Sequence, residues 1–448
     1  MVNRRMRRIY FIIILLVLVG FSFVLGMKAG DVFPLSEILS KSENETTAET
    51  FVEEKETEPE EEIEPEEPDL RTVNMVVGGD ITAHVPQIEQ AHVGNGEYDF
   101  SPSFEIIAPY IQAADIAVGD LETSQAGSDI SFWGYTGYTG YPLFNAPQSL
   151  SEALADAGFD VFTMANNHTL DRGLDGLYNS IDHVRNLGLE TFGAYKSWEE
   201  RDNPLIIDQN GLKIAFIAYT YSTNGIPVPE GHEYCVNLTV EFEDISPVIA
   251  DIEEAKAAGA DLIAVFPHWG GMYSNEPNPQ YLRERASQMA EAGADLILGG
   301  HPHYIQPIEW FFNQNADGTE RATLAVYSLG NFISNQHYPN NPSQYVEYGL
   351  LLDIDLTKNM DTGDTWISEA DYEILWCHRD WRHRVLPLTP VLNAAPEEYN
   401  LSQSKIEELQ DWQQRNIEVV ERYGHSEDKS RALSIAERML NKALAQYQ

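Results

Sequence analysis

The chain has 448 residues, 43% of them hydrophobic, and a formal net charge of -43 at pH 7. This length and composition allow one large or two ordinary folded domains. An acidic excess of this size repels the phosphate backbone, so we exclude nucleic acid as a partner. The two cysteines, Cys235 and Cys377, could pair or stay free, and their spacing in the sequence does not decide which.

The N-terminal segment has the features of a membrane anchor. A basic cluster in residues 1–8 precedes an apolar run over residues 9–27. At helical rise this run is about 30 Å long, which matches the hydrocarbon thickness of a bilayer. Because the basic residues precede the run, we expect a single-pass cell-membrane protein with a cytoplasmic N-terminus and an extracytoplasmic domain. A cleaved signal peptide is the alternative.

An acidic segment over residues 28–71 separates this anchor from the rest of the chain. Thirteen glutamates lie between residues 41 and 70, together with three prolines. Like charges repel and the segment has little to bury, so we predict a disordered linker. We place the folded domain at residues 72–394. A charged, helical C-terminal segment follows at 395–448, with a break near Gly424.

Two predicted strands at the start of the folded domain end in carboxylates. One leads through a glycine pair to Asp80, and the next leads through a glycine to Asp120 and Glu122. A carboxylate just past a buried strand is a plausible metal ligand, although a lone Gly-Asp is also typical of a turn. His84 lies four residues after Asp80 and is a further candidate.

Three later segments share a pattern of amphipathic helix, glycine, buried strand and polar tip. Their tips carry Asn167 with His168, then His268, and then the pair His301 and His303. Open α/β sheets bind ligands at the carboxyl ends of their strands. We therefore expect these three strands to lie in one sheet and to present a metal site at one edge, since histidine is a common metal ligand.

His168 and Asp171 differ from the other polar residues in their expected role. His168 follows Asn167, an uncommon oxygen ligand, so we expect the imidazole beside the metal rather than on it. There it could donate a proton, and Asp171 is near enough to orient it. Asn331 follows one more predicted strand and adds a small polar tip near the site.

Six blocks in this order resemble the CapA family of poly-γ-glutamate capsule biosynthesis proteins. The resemblance covers about residues 72–340. It implies an α/β protein of the metallophosphoesterase type, a four-layer α/β/β/α sandwich with the site at the strand tips. The blocks are Gly-Asp at 79–80, Gly-Asp-Leu-Glu at 119–122, Ala-Asn-Asn-His-x-x-Asp-x-Gly at 165–173, His-Trp-Gly at 268–270, Gly-His-Pro-His at 300–303 and Ser-Leu-Gly-Asn-Phe at 328–332.

The resemblance also implies a divalent-metal site. Asp120 would bridge two ions, and His168 would donate a proton or stabilise the transition state. The implied metal ligands are Asp80, Asp120, Asn167, His268, His301 and His303. Two ions about 3.5–4 Å apart can activate water and hold a phosphoryl group.

The first block departs from the usual pattern. Dinuclear phosphoesterases usually have Asp-x-His there, whereas this chain has Thr82 in place of the histidine. His84 is displaced by two residues, and Glu122 is the other residue that could compensate. The sequence therefore leaves open one or two ions, and it does not distinguish Mn, Zn, Fe or Mg.

Two functions fit these features. The first is the synthesis, anchoring or export of a capsule-type anionic polymer of the poly-γ-glutamate type, within a membrane polymer-synthesis complex. The alternative is a metal-dependent hydrolase that acts on a phosphate ester of the cell envelope. The acidic composition argues against diffuse binding of a polyanion but allows capture of one anionic end at a metal pocket.

Overall fold

The structure, a computed structural model, describes residues 67–315 and 318–445. The predicted membrane anchor at residues 9–27 and nearly all of the predicted acidic linker lie outside these ranges. Within them, no helix is both long and apolar enough to cross a membrane. The first strand begins at Leu70, close to the predicted domain boundary at residue 72.

Most strands of the described residues belong to two large sheets. In chain order the strands are β1 (Leu70–Ile81), β2 (His92–Gly94), β3 (Glu97–Tyr98), β4 (Ile116–Asp120), β5 (Val161–Thr163), β6 (Glu190–Phe192), β7 (Leu205–Gln209), β8 (Leu212–Thr220), β9 (Leu262–His268), β10 (Leu296–Leu298), β11 (Ile308–Gln314), β12 (Glu320–Val326), β13 (Asn331–Ile333), β14 (Tyr348–Asn359), β15 (Thr365–His378) and β16 (Arg384–Pro387).

The two sheets have similar mixed topologies. The larger sheet has the order β16-β15-β14-β1-β4-β5-β6, with β13 also paired to β1. Strands β1, β4, β5 and β6 run parallel, and β14, β15 and β16 add antiparallel neighbours. The smaller sheet has the order β11-β12-β10-β9-β8-β7. Its four inner strands run parallel, and each of its edge strands is antiparallel.

Helices connect and cover these strands. They are α1 (Val85–Ala91), α2 (Ser101–Phe104), α3 (Ala108–Ala113), α4 (Ser149–Ala157), α5 (Gly173–Asn186), α6 (Trp198–Arg201), α7 (Ser246–Ala257), α8 (Tyr281–Ala292), α9 (Leu388–Asn393), α10 (Gln403–Val420) and α11 (His425–Leu444). The predicted break in the C-terminal helices is Gly424, whose φ of 80° is left-handed backbone that glycine adopts without strain.

Alternate residues of the central strand β1 face different cores, because side chains of a strand point to opposite faces in turn. Met75 and Val77 pack in a core shared with the smaller sheet, for example with Phe216. Val76 packs in a second core together with α4. A third core lies between the smaller sheet and helices α7 and α8. The described residues thus form two facing sheets with helices outside, and the predicted mixed α/β class is confirmed.

The two cysteines belong to separate cores. Cys235 is buried with the residues that lie between the sheets, and Cys377 is buried in the core beneath α4. Both thiols are free. The structure therefore decides the question that the sequence left open, and the cysteines do not pair.

The expectation that one sheet presents the three polar tips is wrong. Strand β5, before Asn167, lies in the larger sheet, whereas β9 and β10, before His268 and His301, lie in the smaller one. A helix followed by a buried strand has the same sequence pattern in either sheet, since strand pairing is set by tertiary contacts. The polar tips come together because strands of both sheets end at the same place.

The C-terminal helices pack on the sheets. Helix α11 contacts β11, β12 and β15. Its first residue, His425, accepts a hydrogen bond at Nδ1 from Trp310 Nε1 at 3.1 Å. In α10, Leu409 is 0% exposed and belongs to the same core as the strands of both sheets. These helices therefore share the core that positions the strand ends.

We expect Leu409→Ala to lower the free energy of unfolding by about 2–5 kcal/mol, because it removes a buried side chain and leaves a cavity. Urea denaturation of the purified protein measures this. Leu444→Ala is the control, since Leu444 is 38% exposed, and its effect should stay within about 0.5 kcal/mol. Equal and small effects of both changes would contradict a shared core.

Candidate metal centre

Strands β1 and β4 of the larger sheet end at one level, and the parallel strand β13 begins there. In the register of these strands, Asp80 of β1 lies opposite Asp120 of β4 on one side and Asn331 of β13 on the other. From the smaller sheet, His268 at the end of β9 forms a bridge with Gly300, just before His301. The ends of both sheets therefore place carboxylates and imidazoles side by side.

The backbone at Gly300 passes very close to these groups. A side-chain Cβ at this position would lie 2.6 Å from Asp80 Oδ1 and 3.1 Å from Asp120 Oδ2. The backbone N–H of His301 also points to Asp80 Oδ2, at 3.2 Å. Glycine is therefore required here, because any side chain would occupy the space in front of the carboxylates.

Asp80, Asp120 and His268 form one group of potential metal ligands. One donor atom from each lies within 4.8 Å of the others, and all three residues are buried. His268 Nδ1 lies 2.8 Å from Asp120 Oδ2. Asn166 Nδ2 donates a hydrogen bond to Asp120 Oδ1 at 3.0 Å, which fixes the orientation of that carboxylate.

Glu122, His301 and His303 form a second group with the same spacing and burial. The side chain of Glu122 is 0% exposed, and neither of its oxygens accepts a hydrogen bond. His301 Nδ1 is also buried without a partner. Buried polar atoms are normally satisfied, so these three free atoms point to a ligand that the protein is built to receive.

The backbone holds both histidines of the last motif in an unfavourable conformation. His301 has a φ of 94° and His303 a φ of 57°, in the left-handed region that residues with a Cβ rarely adopt. Such strain costs about 1–3 kcal/mol per residue and persists only where surrounding structure imposes it. The imidazole positions are thus determined by the fold, as is typical of functional sites.

Asn167 points its carbonyl at the site. Its Oδ1 lies 2.7 Å from His268 Nε2, and its Nδ2 donates to Asn224 Oδ1 at 3.1 Å. Because Asn224 accepts from the amide nitrogen, the oxygen of Asn167 is the atom left to face the histidine. This is the orientation that an oxygen ligand requires.

His168 and Asp171 form a buried pair beside these groups. His168 Nδ1 lies 2.7 Å from Asp171 Oδ2, which also accepts a hydrogen bond from the backbone N–H of Phe144 at 2.7 Å. The Phe144 ring packs edge-on against the His168 ring, 4.6 Å away. The other nitrogen, His168 Nε2, lies 4.0 Å from Glu122 Oε1 and so faces the second ligand group.

The remaining predicted residues lie at the margin of the site. Asn331 Oδ1 lies 3.1 Å from His303 Nδ1, the same nitrogen that lies 3.1 Å from Asp80 Oδ2. His84 caps α1 through Gln87 and packs on the ring of Phe144. Burial lowers the pKa of His84 to about 4, so its imidazole is neutral.

Burial and mutual pairing set the charges of the central groups. Burial raises the pKa of Asp80, and it raises the pKa of Asp120 to about 6. Burial alone would lower the pKa of His268, but the adjacent Asp120 carboxylate raises it to about 10. Burial, together with the charges of His268 and His303, holds the pKa of His301 well below its usual value. A neutral imidazole is the form that binds metal.

The donor atoms of this site suit a divalent metal ion. Carboxylate oxygens and imidazole nitrogens are ligands for Zn, Mn and Fe ions. The two ligand groups, the unpartnered atoms of Glu122 and His301, and the space kept free by Gly300 all fit such an ion. The structure thus defines a mixed α/β protein with buried groups that could bind metal.

Two residues at this site lack an obvious sequence signal. Asn224, in the loop after β8, contacts Asn167 and lies 3.5 Å from His168. Because β8 pairs parallel to β9, the loop after β8 lies at the same edge of the sheet as His268. Knowledge of the strand order would therefore have identified this loop as part of the site. Phe144 lies in a long aromatic loop, where nothing in the sequence distinguishes it from the neighbouring rings.

Comparison with known proteins assigns the family. Residues 74–336 match the family described as bacterial capsule synthesis protein PGA_cap. This match covers more than half of the chain, and the chain belongs to that family. The resemblance to CapA that the sequence blocks suggested is confirmed.

Two curated relatives are similar over part of their length. The capsule biosynthesis protein CapA of Bacillus anthracis is 28% identical over 283 residues, which are 62% of this chain and 64% of that protein. The PGA biosynthesis protein CapA of Bacillus subtilis is 29% identical over 258 residues, which are 55% of this chain and 60% of that protein. The chain thus spans less than two thirds of each relative.

Solved structures show a more distant similarity. The NAD nucleotidase of Haemophilus influenzae superposes with a TM-score of 0.39 at 12% identity, over 72% of this chain and 60% of that chain. A calcineurin-like phosphoesterase from Bacillus subtilis superposes with a TM-score of 0.39 at 17% identity, over 68% of this chain and 90% of that chain.

We expect His268→Ala to lower the metal content and to remove most of the rise in melting temperature that Mn²⁺ produces in the wild type. Metal that binds only the folded state stabilises it according to the ratio of metal concentration to Kd. Differential scanning calorimetry with and without Mn²⁺ measures this rise. His92→Ala, which changes an exposed histidine of β2, should keep it; an unchanged rise in His268→Ala would refute the site.

Proposed function

We propose that this chain is a membrane-tethered, extracytoplasmic protein that acts in the synthesis, anchoring or export of a capsule-type anionic polymer of the poly-γ-glutamate type. The observation that carries this proposal is the family match over residues 74–336, because the matched segment contains every ligand candidate of the metal centre. Both CapA relatives are named for capsule or PGA biosynthesis. The fold we assign is the metallophosphoesterase type of α/β/β/α sandwich.

The first strand of the described residues runs from the linker side of the domain to the site. The chain enters β1 at Leu70 and reaches the metal centre at Asp80, at the other end of the same strand. At strand rise these residues are about 33 Å apart. A tether that precedes Leu70 would therefore join the domain about one strand length away from the site.

The ligand groups suit capture of an anionic end. Asp80, Asp120, Asn167 and His268 would hold one divalent ion. Divalent ions bound at the two ligand groups would together supply the positive charge that holds and polarises a carboxylate or phosphate group. The rest of the acidic chain gives no general attraction for a polyanion, so binding of the polymer would be confined to this point.

The His168–Asp171 pair favours a second function, hydrolysis of a phosphate ester of the cell envelope. With Nδ1 directed at the Asp171 carboxylate, a protonated His168 would carry its other proton on Nε2, which faces the ligand groups. Asp171 would hold the ring in that orientation and stabilise its charge. A group so placed can protonate a leaving oxygen, a role that binding alone does not need.

We expect metal-site variants to lose the polymer. In the cell that makes this protein, His301→Ala should abolish surface-associated anionic polymer, whereas His92→Ala should not. The measurement is the polymer released from washed cells, with protein level checked by immunoblot. If the His301→Ala protein is folded and depleted of metal, and its cells still release the wild-type amount of polymer, the polymer role is contradicted.

His168→Asn separates catalysis from binding. Asparagine keeps a polar group of similar reach but cannot donate a proton as an imidazolium does. If the site hydrolyses phosphate esters, this variant should keep its metal and lose at least about a hundredfold in turnover, since a positioned acid contributes about 10²–10⁴-fold. His183→Asn, on the remote part of α5, is the matched control. Unchanged turnover and polymer in His168→Asn would exclude the hydrolase.

A further inference from the structure

The position that usually completes the second metal site is used for strand pairing in this chain. Thr82 donates its backbone N–H to Ile333 O at 3.0 Å, and its hydroxyl hydrogen-bonds the same carbonyl at 3.3 Å. Its side chain is thus committed to β13. His84, two residues on, hydrogen-bonds Gln87 as the cap of α1. Neither residue belongs to the ligand groups.

Glu122 is a buried carboxylate that faces two imidazoles and accepts no hydrogen bond. Its carboxylate is completely buried, and no donor satisfies either oxygen. One oxygen lies 3.5 Å from His268 Nε2, and the other lies 3.9 Å from His303 Nδ1. A buried carboxylate without hydrogen bonds is costly unless a positive charge compensates it. Two imidazoles converge on this carboxylate, and a bound ion would take over the compensation once they act as neutral ligands.

We propose that Glu122 replaces the missing histidine and, with His301 and His303, forms a second metal position whose occupancy decides whether the site accepts an anion. This inference rests on the proposed function of the same site. The observation behind it is the ligand group of these three residues, which adjoins the group of Asp80, Asp120 and His268.

The charges of the site explain why the second position matters. Asp80, Asp120 and Glu122 bring three carboxylates into one buried volume. One divalent ion leaves a formal charge of about -1, which repels a phosphate or carboxylate, whereas two ions leave about +1, which attracts it. The histidines contribute no charge when they act as ligands. Anion capture therefore requires both positions to be filled.

Calorimetric titration of the purified full-length protein tests this. Mn²⁺ is titrated first, and inorganic phosphate is then titrated into the metal-loaded protein. We expect two equivalents of Mn²⁺ for the wild type and one for Glu122→Gln, with at least a tenfold weaker phosphate affinity in the variant. Glu347→Gln is the matched control, because Glu347 is also buried but accepts hydrogen bonds from Tyr338 and Trp376. It should behave as the wild type.

Two results would overturn the inference. One is a Glu122→Gln protein that still binds two equivalents, and the other is a protein that loses one equivalent but binds phosphate as before. If circular dichroism shows that Glu122→Gln is unfolded, His303→Gln replaces it, because it removes another ligand of the same group. That variant must also lose one equivalent of Mn²⁺ and bind phosphate at least tenfold more weakly. These measurements record binding only, so a negative result overturns the role of Glu122 and leaves the polymer proposal to its own test.

Discussion

The burial of three carboxylates at one point limits how the rest of this domain can be built. Asp80, Asp120 and Glu122 lie among histidines at the junction of two sheets, and burial of charge is unfavourable without compensation. Paired imidazoles compensate part of it, but Glu122 has no hydrogen-bond donor. In the proposed metal centre, a bound cation would take over this compensation once the imidazoles coordinate it as neutral ligands.

The architecture concentrates this charge and keeps it in place. Central strands of both sheets end at the same level, so short polar tips from distant parts of the chain become neighbours. The left-handed backbone at His301 and His303 is held by tertiary structure, and Gly300 keeps the approach open. Cores on both faces of each sheet, together with the C-terminal helices, stabilise these positions. A rigid frame of this kind holds the coordinating side chains in position before an ion binds.

Local pattern was sufficient to predict much of the fold. The helix, glycine, strand and polar-tip units are each encoded within about thirty residues, so their elements could be located. Which sheet each strand joins could not, because pairing of β9 and β10 with β8 and β12 depends on contacts far apart in sequence. The family was indicated by the six sequence motifs and their order, because the helix, glycine, strand and polar-tip pattern alone does not distinguish one family from another.

The candidate site was predictable to a similar extent. Residues at strand tips were singled out because residue type and position agree there, and the structure brings them together. Asn224 and Phe144 were missed, since each contacts the site only through the tertiary fold. The sequence also left the role of Glu122 open, because its lack of a hydrogen-bond donor is a property of its surroundings and not of its motif.

Diffraction at the manganese absorption edge from crystals grown with Mn²⁺ would locate the bound ions. We expect two anomalous peaks within the junction of the sheets. One peak should touch Asp120 and His268, and the other should touch Glu122 and His303. Peaks only on the acidic surface, or a junction without a peak in well-ordered crystals, would contradict a metal centre at this point.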